Sequence, residues 1–174
     1  MSSTPTKALA AAAAVLLAAA CGTSTGGPRT GSALQGGGPA MFGTSGYPHA
    51  KIGVVYRFSF PLLKNVSKAP VALTGFKVLS VPGQVQVRGY TVSSVNDTPG
   101  YLLGGLDTDF TKYPDYAKKT LIIKPGATSP YYAGVRVQAS GKLAHHIKGC
   151  DITYQQNDHT YHQVLPCEYA LDVT

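Results

Sequence analysis

A chain of 174 residues with 20 glycines, 12 prolines and no tryptophan has room for one domain built around a single hydrophobic core. Its formal charge of +7 comes from cations spread singly, such as Arg57, Lys64, Lys77, Arg88 and Arg136; with no basic block or binding motif, nucleic acid is not an expected partner. Three cysteines leave one over from any closed disulfide framework, and that one calls for another fate.

The N-terminus supplies it. Lys7 is followed by an apolar run from Ala8 to Ala20 made only of Ala, Leu and Val, shorter than the ~20 residues that span a bilayer and matched to the h-region of an export signal. The run closes on Val15-Leu16-Leu17-Ala18-Ala19-Ala20-Cys21. This stretch resembles the lipobox of bacterial lipoproteins, in which an aliphatic residue and two small residues precede the cysteine. The resemblance implies that residues 1–20 are removed, that Cys21 becomes the mature N-terminus, and that its sulfur carries a diacylglyceryl group. Two acyl chains suffice for stable anchoring, so the expected location is the extracytoplasmic face of the cell membrane. Ala18 stands where Leu is commonest, and ordinary cleavage after Ala20 with a free Cys21 is the alternative. Lipidation of Cys21 leaves Cys150 and Cys167 as a disulfide pair.

From Gly22 to about Ala50 the chain is rich in Gly, Ser, Thr and Pro, including Gly36-Gly37-Gly38-Pro39. The composition predicts a disordered tether over residues 21–50 with roughly 30 Å of r.m.s. reach. The folded domain is then expected over 51–174.

Within it, Ile52, Val54, Tyr56, Phe58 and Phe60 alternate with Gly53, Arg57, Ser59 and Pro61, the period of a half-buried strand. A second strand begins at Val71 and Leu73, and its apolar parity shifts after Gly75, as a bulge requires. Pro82-Gly83 predicts a turn, and Gly89 shifts the register of the strand that follows. Residues from Asn96 to Lys119 read as a long connection with a helical turn near Asp109 to Lys118; loops of that length are often functional. Tyr131, Ala133, Val135 and Val137 predict an inward-facing strand, and the alternation of Leu143, His145 and Ile147 places His145 with the core and His146 outside. Placing Cys150 opposite Cys167 registers a final hairpin with Ile152 opposite Leu165, Tyr154 opposite Gln163 and its tip at Asp158-His159.

About seven short strands, Pro/Gly turns and little helical periodicity predict an all-β, antiparallel sandwich. The layout Phe60-x-Leu62 to Asn65-x-Ser67, then Pro70-Val71-x-Leu73, then Leu121-x-Ile123-x-Pro125-Gly126 resembles the immunoglobulin-like domains of bacterial envelope proteins. The resemblance implies a binding or structural module that presents a surface to another envelope protein or to cell-wall polymer. It does not extend to antibody domains, whose core tryptophan and inter-sheet cysteines are absent.

Two residue groups carry candidate chemistry. His145, His146, His159 and His162 are imidazoles of the kind that bind Cu or Zn, which makes metal handling the alternative function. On the long connection, Asp107 and Asp109 with Asp115 offer oxygen ligands of the kind Ca²⁺ takes, and Tyr113 and Tyr116, with Tyr101, Tyr131 and Tyr132, offer stacking faces to a sugar or peptide. No Gly-x-Ser-x-Gly elbow, His-Glu-x-x-His helix or phosphate loop occurs in the sequence, so a non-enzymatic role is the expectation.

Overall fold

Alternation in the first predicted strand does set the core. Tyr56, Phe58 and Phe60 are buried with exposures of 1% or less, while Ile52 is 60% exposed because the strand begins only at Val55. The structure, a computed structural model, describes residues 27–38 and 43–173. The signal reading of residues 1–20 and the lipidation of Cys21 fall outside these residues.

The chain forms the expected all-β sandwich, with twelve strands among the described residues rather than seven. They are β1 (Arg29–Thr30), β2 (Leu34–Gly37), β3 (Ser45–Ala50), β4 (Val55–Ser59), β5 (Leu62–Asn65), β6 (Val71–Ser80), β7 (Val85–Ser94), β8 (Gly104–Leu106), β9 (Leu121–Ile123), β10 (Tyr131–Ala139), β11 (Ile147–Gln156) and β12 (His159–Val173). One sheet runs β1-β12-β11-β6-β9 with β3 also on β12; the other runs β7-β10-β4-β8; β2 and β5 form a separate ribbon. All pairings are antiparallel except those of β1 and β3 with β12. The two large sheets pack face to face: Phe58 stacks on Tyr169 at 5.2 Å, and Phe60 meets Phe76 edge-on at 5.6 Å.

Bulges fall where glycine disturbed the alternation. Thr74 is the extra residue beside Gly75, and Arg88 the extra residue beside Gly89. Pro82 accepts a backbone bond from Val85 at 2.9 Å, closing the predicted turn. The long connection holds more than a turn, since β8 pairs with β4 and a 3-10 turn follows at Asp107–Phe110.

Three expectations are corrected. The tether boundary at residue 51 is wrong for the described part of 21–50. There Ala33 and Leu34 are buried, β1 pairs with Tyr161 and His162, and β3 pairs with Tyr169 to Val173. A few apolar residues and the open edge of β12 suffice to order a Gly/Ser-rich segment, since its backbone groups find partners there. The hairpin register is shifted: Cys150 faces Leu165, Ile152 faces Gln163 and Tyr154 faces Tyr161. The cause is a bulge in which Gly149 opposes both Pro166 and Cys167, because Pro166 has no N–H to continue the ladder. The Cys150–Cys167 disulfide forms across this bulge with Cα atoms 5.8 Å apart, and closing a loop of that size contributes about 3 kcal/mol in the chain-entropy model. The tip is Asn157-Asp158, both at positive φ of 49° and 60°, as a two-residue type I′ turn requires. Finally, His145 is exposed, since β11 starts only at Ile147 and the residues before it are loop.

The sandwich has two distinct ends. One gathers the β11–β12 turn, the Val66 to Pro70 loop, the Lys124 to Ala127 turn and the start of β1. Fully buried Asn65 ties these together, its Nδ2 donating to Ala69 O (2.8 Å) and Ile123 O (2.9 Å), while Gln156 Nε2 donates to Ser67 Oγ (2.6 Å) and Ala69 O (2.9 Å). The other end carries residues 51–54, 81–84 and 140–146, with the close of β12.

Docking of the N-terminal segment depends on Gly31. A Cβ there would lie 2.2 Å from the Tyr154 hydroxyl oxygen, the group that accepts a hydrogen bond from Ala33 N at 3.1 Å. Gly31→Ala is therefore expected to destabilise the domain by about 1–3 kcal/mol, whereas Gly27→Ala, with nothing within 4 Å, leaves it unchanged. Thermal melts of both variants decide the matter; equal melting temperatures would mean that this segment does not dock.

Candidate binding surface on the 95–120 connection

The outer face of the β7-β10-β4-β8 sheet carries a residue pattern that cannot stand in water or core alone. Arg57 and Ser59 point outward from β4, yet both are buried, because the connection from Val95 to Thr120 folds over them. Ser59 N donates to Leu103 O at 2.9 Å, and its Oγ donates to Leu102 O at 2.5 Å. Tyr101 donates to Phe60 O at 2.7 Å and packs edge-on against Tyr132 at 5.0 Å. Burial, with the neighbouring Tyr132, pushes the Tyr101 phenol well above its ordinary range, so it stays a neutral donor.

Asp107 fastens the middle of the connection. Its Oδ1 accepts from Arg57 Nε (3.0 Å) and Nη2 (2.8 Å), and its Oδ2 accepts from Arg136 Nε (2.9 Å) and lies 2.7 Å from Nη2. Burial opposes ionisation of this carboxyl, but hydrogen bonds from Arg136 and Arg57, and their charges, outweigh it and hold the group below the usual carboxylate range. The Arg57 guanidinium also lies over the Phe110 ring at 4.5 Å, a cation–π contact. Its stem crosses Gly134, where a Cβ would come within 3.0 Å. The expectation that Asp107 meets a ligand is thus corrected: both its oxygens are occupied by arginines 50 and 29 residues away in sequence.

The other expected residues separate. Asp115 Oδ1 accepts from Val92 N and Ala117 N, both at 2.9 Å, so it caps the edge of β7. Asp109 lies beside Gly105, and neither joins Asp107 in an oxygen cage. Tyr113 carries Lys112 over its ring at 5.2 Å. Tyr116 is fixed by its N–H to Val92 O (2.8 Å) and its hydroxyl to Asp97 Oδ2 (2.7 Å); that hydrogen bond is the main reason its phenol titrates above the ordinary value. It meets Tyr131 edge-on at 5.1 Å, and Lys119 Nζ lies 5.2 Å and 5.3 Å from the two ring centroids while donating to the Tyr131 hydroxyl at 3.0 Å. Tyr113, Tyr116 and Tyr131 are half-buried, so this flank offers fixed aromatic surface with cations above it. Lys119 escaped the sequence reading as a site residue; the signal was a Lys set between the tyrosines at the end of the connection.

The four histidines do not share a site. His145 is exposed and engages its neighbour's carbonyl (2.9 Å); His146 Nδ1 meets Glu168 Oε1 at 2.6 Å. That hydrogen bond, working against burial and helped by Lys148, holds the Glu168 carboxyl below its usual range. His162 Nδ1 lies 3.1 Å from Asp151 Oδ2 and 3.3 Å from Thr153 Oγ1 on the outer face of β11 and β12, while His159 sits edge-on to Tyr161 at the hairpin turn. Among the described residues no three His, Cys, Asp or Glu side chains converge.

The pinning of the connection is open to test at neutral and acid pH. Asp107→Asn leaves two guanidinium groups without their counter-ion and is expected to cost about 3 kcal/mol at pH 7. Since the Asp107 carboxyl titrates lower folded than unfolded, its contribution is complete above pH ~4 and is lost as pH falls through the folded value. Urea unfolding at pH 7 and near pH 3 should show the gap between wild type and variant shrinking in acid; a constant gap would contradict the ion-pair account. No family model matches the chain, and no curated protein matches it. A solved structure similar to part of it is that of the VesB protease of Vibrio cholerae, at TM-score 0.34 and 12% identity, covering 75% of this chain and 31% of that one; the chain spans about a third of that protein's length, and a likeness this low carries no argument.

Proposed function

We propose that the chain is a lipid-anchored envelope protein, held at the extracytoplasmic face of the cell membrane by acylated Cys21, and that it acts as a binding module. The observation that carries the binding role is the Tyr116–Lys119–Tyr131 cluster. Tyrosine supplies large contact area at small entropic cost when its ring is already fixed, and here both rings are fixed before any ligand arrives. The Arg57–Asp107–Arg136 network beneath keeps the backbone of the connection in place. Fixed aromatic faces beside ammonium groups suit a polyhydroxylated, anionic polymer of the cell wall, whose sugar rings stack on tyrosine and whose charges meet Lys112 and Lys119.

Co-sedimentation of the mature chain with purified wall polymer tests the binding surface. Tyr116→Ala and Tyr131→Ala should each weaken binding by roughly three- to tenfold, in keeping with the worth of one aromatic contact. Undiminished binding by the double variant would reject this surface, and displacement by a peptide library rather than by polymer would assign it to a protein partner. The anchor is tested separately by the intact mass of protein extracted from membranes, where Cys21 should bear a lipid-sized increment that Cys21→Ala lacks; an unmodified Cys21 would end the anchoring proposal.

A further inference from the structure

We infer that the domain docks end-on against an anionic lipid surface, using the end of the sandwich that holds the β11–β12 turn. The inference deepens the anchoring proposal above and rests on it for the attachment at Cys21.

Chain direction and chain length make the first argument. β1 runs parallel to β12 and pairs at Tyr161 and His162, just past the turn at which β12 begins. The chain preceding Arg29 therefore leaves the domain at the turn end, not at the opposite end. Cys21 lies eight positions before Arg29, and eight residues span no more than about 28 Å even when fully extended. Ordering of β1 to β3 thus cuts the r.m.s. reach from the roughly 30 Å that the composition of 21–50 suggested to about 16 Å. A lipid on Cys21 would hold the turn end near the bilayer at a high effective concentration.

Charge makes the second. Arg29, Lys64, Lys68 and Lys124 are all exposed at this end, against two exposed carboxylates, Asp158 at the turn itself and Asp97 just past β7. Asp97, toward the β7 side, is engaged by the Tyr116 hydroxyl. Four cations, Arg29 and Lys64 on the short strands β1 and β5 and Lys68 and Lys124 on loops braced by Asn65 and Gln156, match the way clustered Lys and Arg residues recognise anionic headgroups. Two exposed aliphatic side chains border them, Val66 (50%) and Ile122 (64%), able to enter the interfacial region as basic surface helices bury their apolar residues. At the opposite end Lys142 lines one hollow with Asp172, Lys51 is a second lysine there, and no lipid is expected to be held there.

The test attaches the mature chain, residues 21–174, through the Cys21 thiol to a maleimide lipid in vesicles. The Cys150–Cys167 bridge leaves Cys21 as the single free thiol, so the experiment does not depend on natural lipidation, and its failure is distinguishable from an unmodified Cys21 in cells. On vesicles containing phosphatidylglycerol, amine labelling read by mass spectrometry should show Lys64, Lys68 and Lys124 protected relative to Lys51 and Lys142; on phosphatidylcholine alone the protection should largely vanish. Without the maleimide link, the Cys21→Ser chain should sediment with anionic vesicles in a salt-dependent manner. Lys68→Glu with Lys124→Glu should weaken that binding by at least about tenfold, and Lys51→Glu with Lys142→Glu should change it little. Equal labelling of the two ends, or equal weakening by the two pairs of reversals, would overturn the docking surface.

Discussion

The Asp107 carboxylate is the constraint on which the outer half of the molecule depends. A two-sheet sandwich needs only one apolar face per sheet, and the other face is ordinarily left to water. Here β4 and β10 present Arg57 and Arg136 side by side on that outer face, joined as cross-strand neighbours. Like charges directly opposed across a ladder repel, so the pair is tolerable only with a counter-ion between them. The 3-10 turn at Asp107–Phe110 delivers one, and in doing so drags the 95–120 connection across the sheet as a third layer. Small side chains beneath it, at Ser59, Thr91 and Ser93, and the bare Gly134 leave room for the connection and for the arginine stem.

Edges are the second constraint. β12 is the longest strand, and only β11 covers one side of it along its length. Its other side is covered in pieces, by β1 near the turn and by β3 near its close, with Gln163 bonding the backbone of Leu34 between them through both its amide oxygen and its amide nitrogen. This arrangement satisfies backbone groups that would otherwise be open to another chain. It also fixes where the N-terminal chain leaves the domain, so edge protection and anchor geometry have one cause.

Local chemistry was legible in the sequence wherever it acted locally. Tyr56, Phe58 and Phe60 marked the core, Gly75 and Gly89 marked bulges, Pro82-Gly83 marked a turn, and cysteine arithmetic paired Cys150 with Cys167. The failures share a physical reason. The described residues between Arg29 and Ala50 are ordered by partners on β5, β11 and β12, more than a hundred residues away for Ala33 and Leu34, and composition carries no trace of them. Asp107 reads as a free carboxylate until Arg57 and Arg136 are brought to it by strand pairing. The hairpin register turned on Pro166, whose missing N–H was visible but whose effect depended on where Gly149 would face it. At the candidate surface the tyrosines were visible, while Lys119 gained meaning only through the packing of Tyr116 onto Tyr131 of the β10 strand.

The placement of these features separates tasks along the sandwich. Cations at the turn end belong to β1, to β5 and to loops whose backbones are knotted by the buried Asn65, so that surface does not depend on the 95–120 connection. The tyrosine flank hangs on Val92, Asp97 and Asp115 and on the Asp107 ion pairs, and none of these groups contributes to the Asn65 knot. A domain held by its turn end has its strand axes directed away from the anchoring surface, which leaves the flank facing sideways and free on the side of β7. Attachment and recognition can then vary independently, because the bonds that stiffen one do not pass through the other.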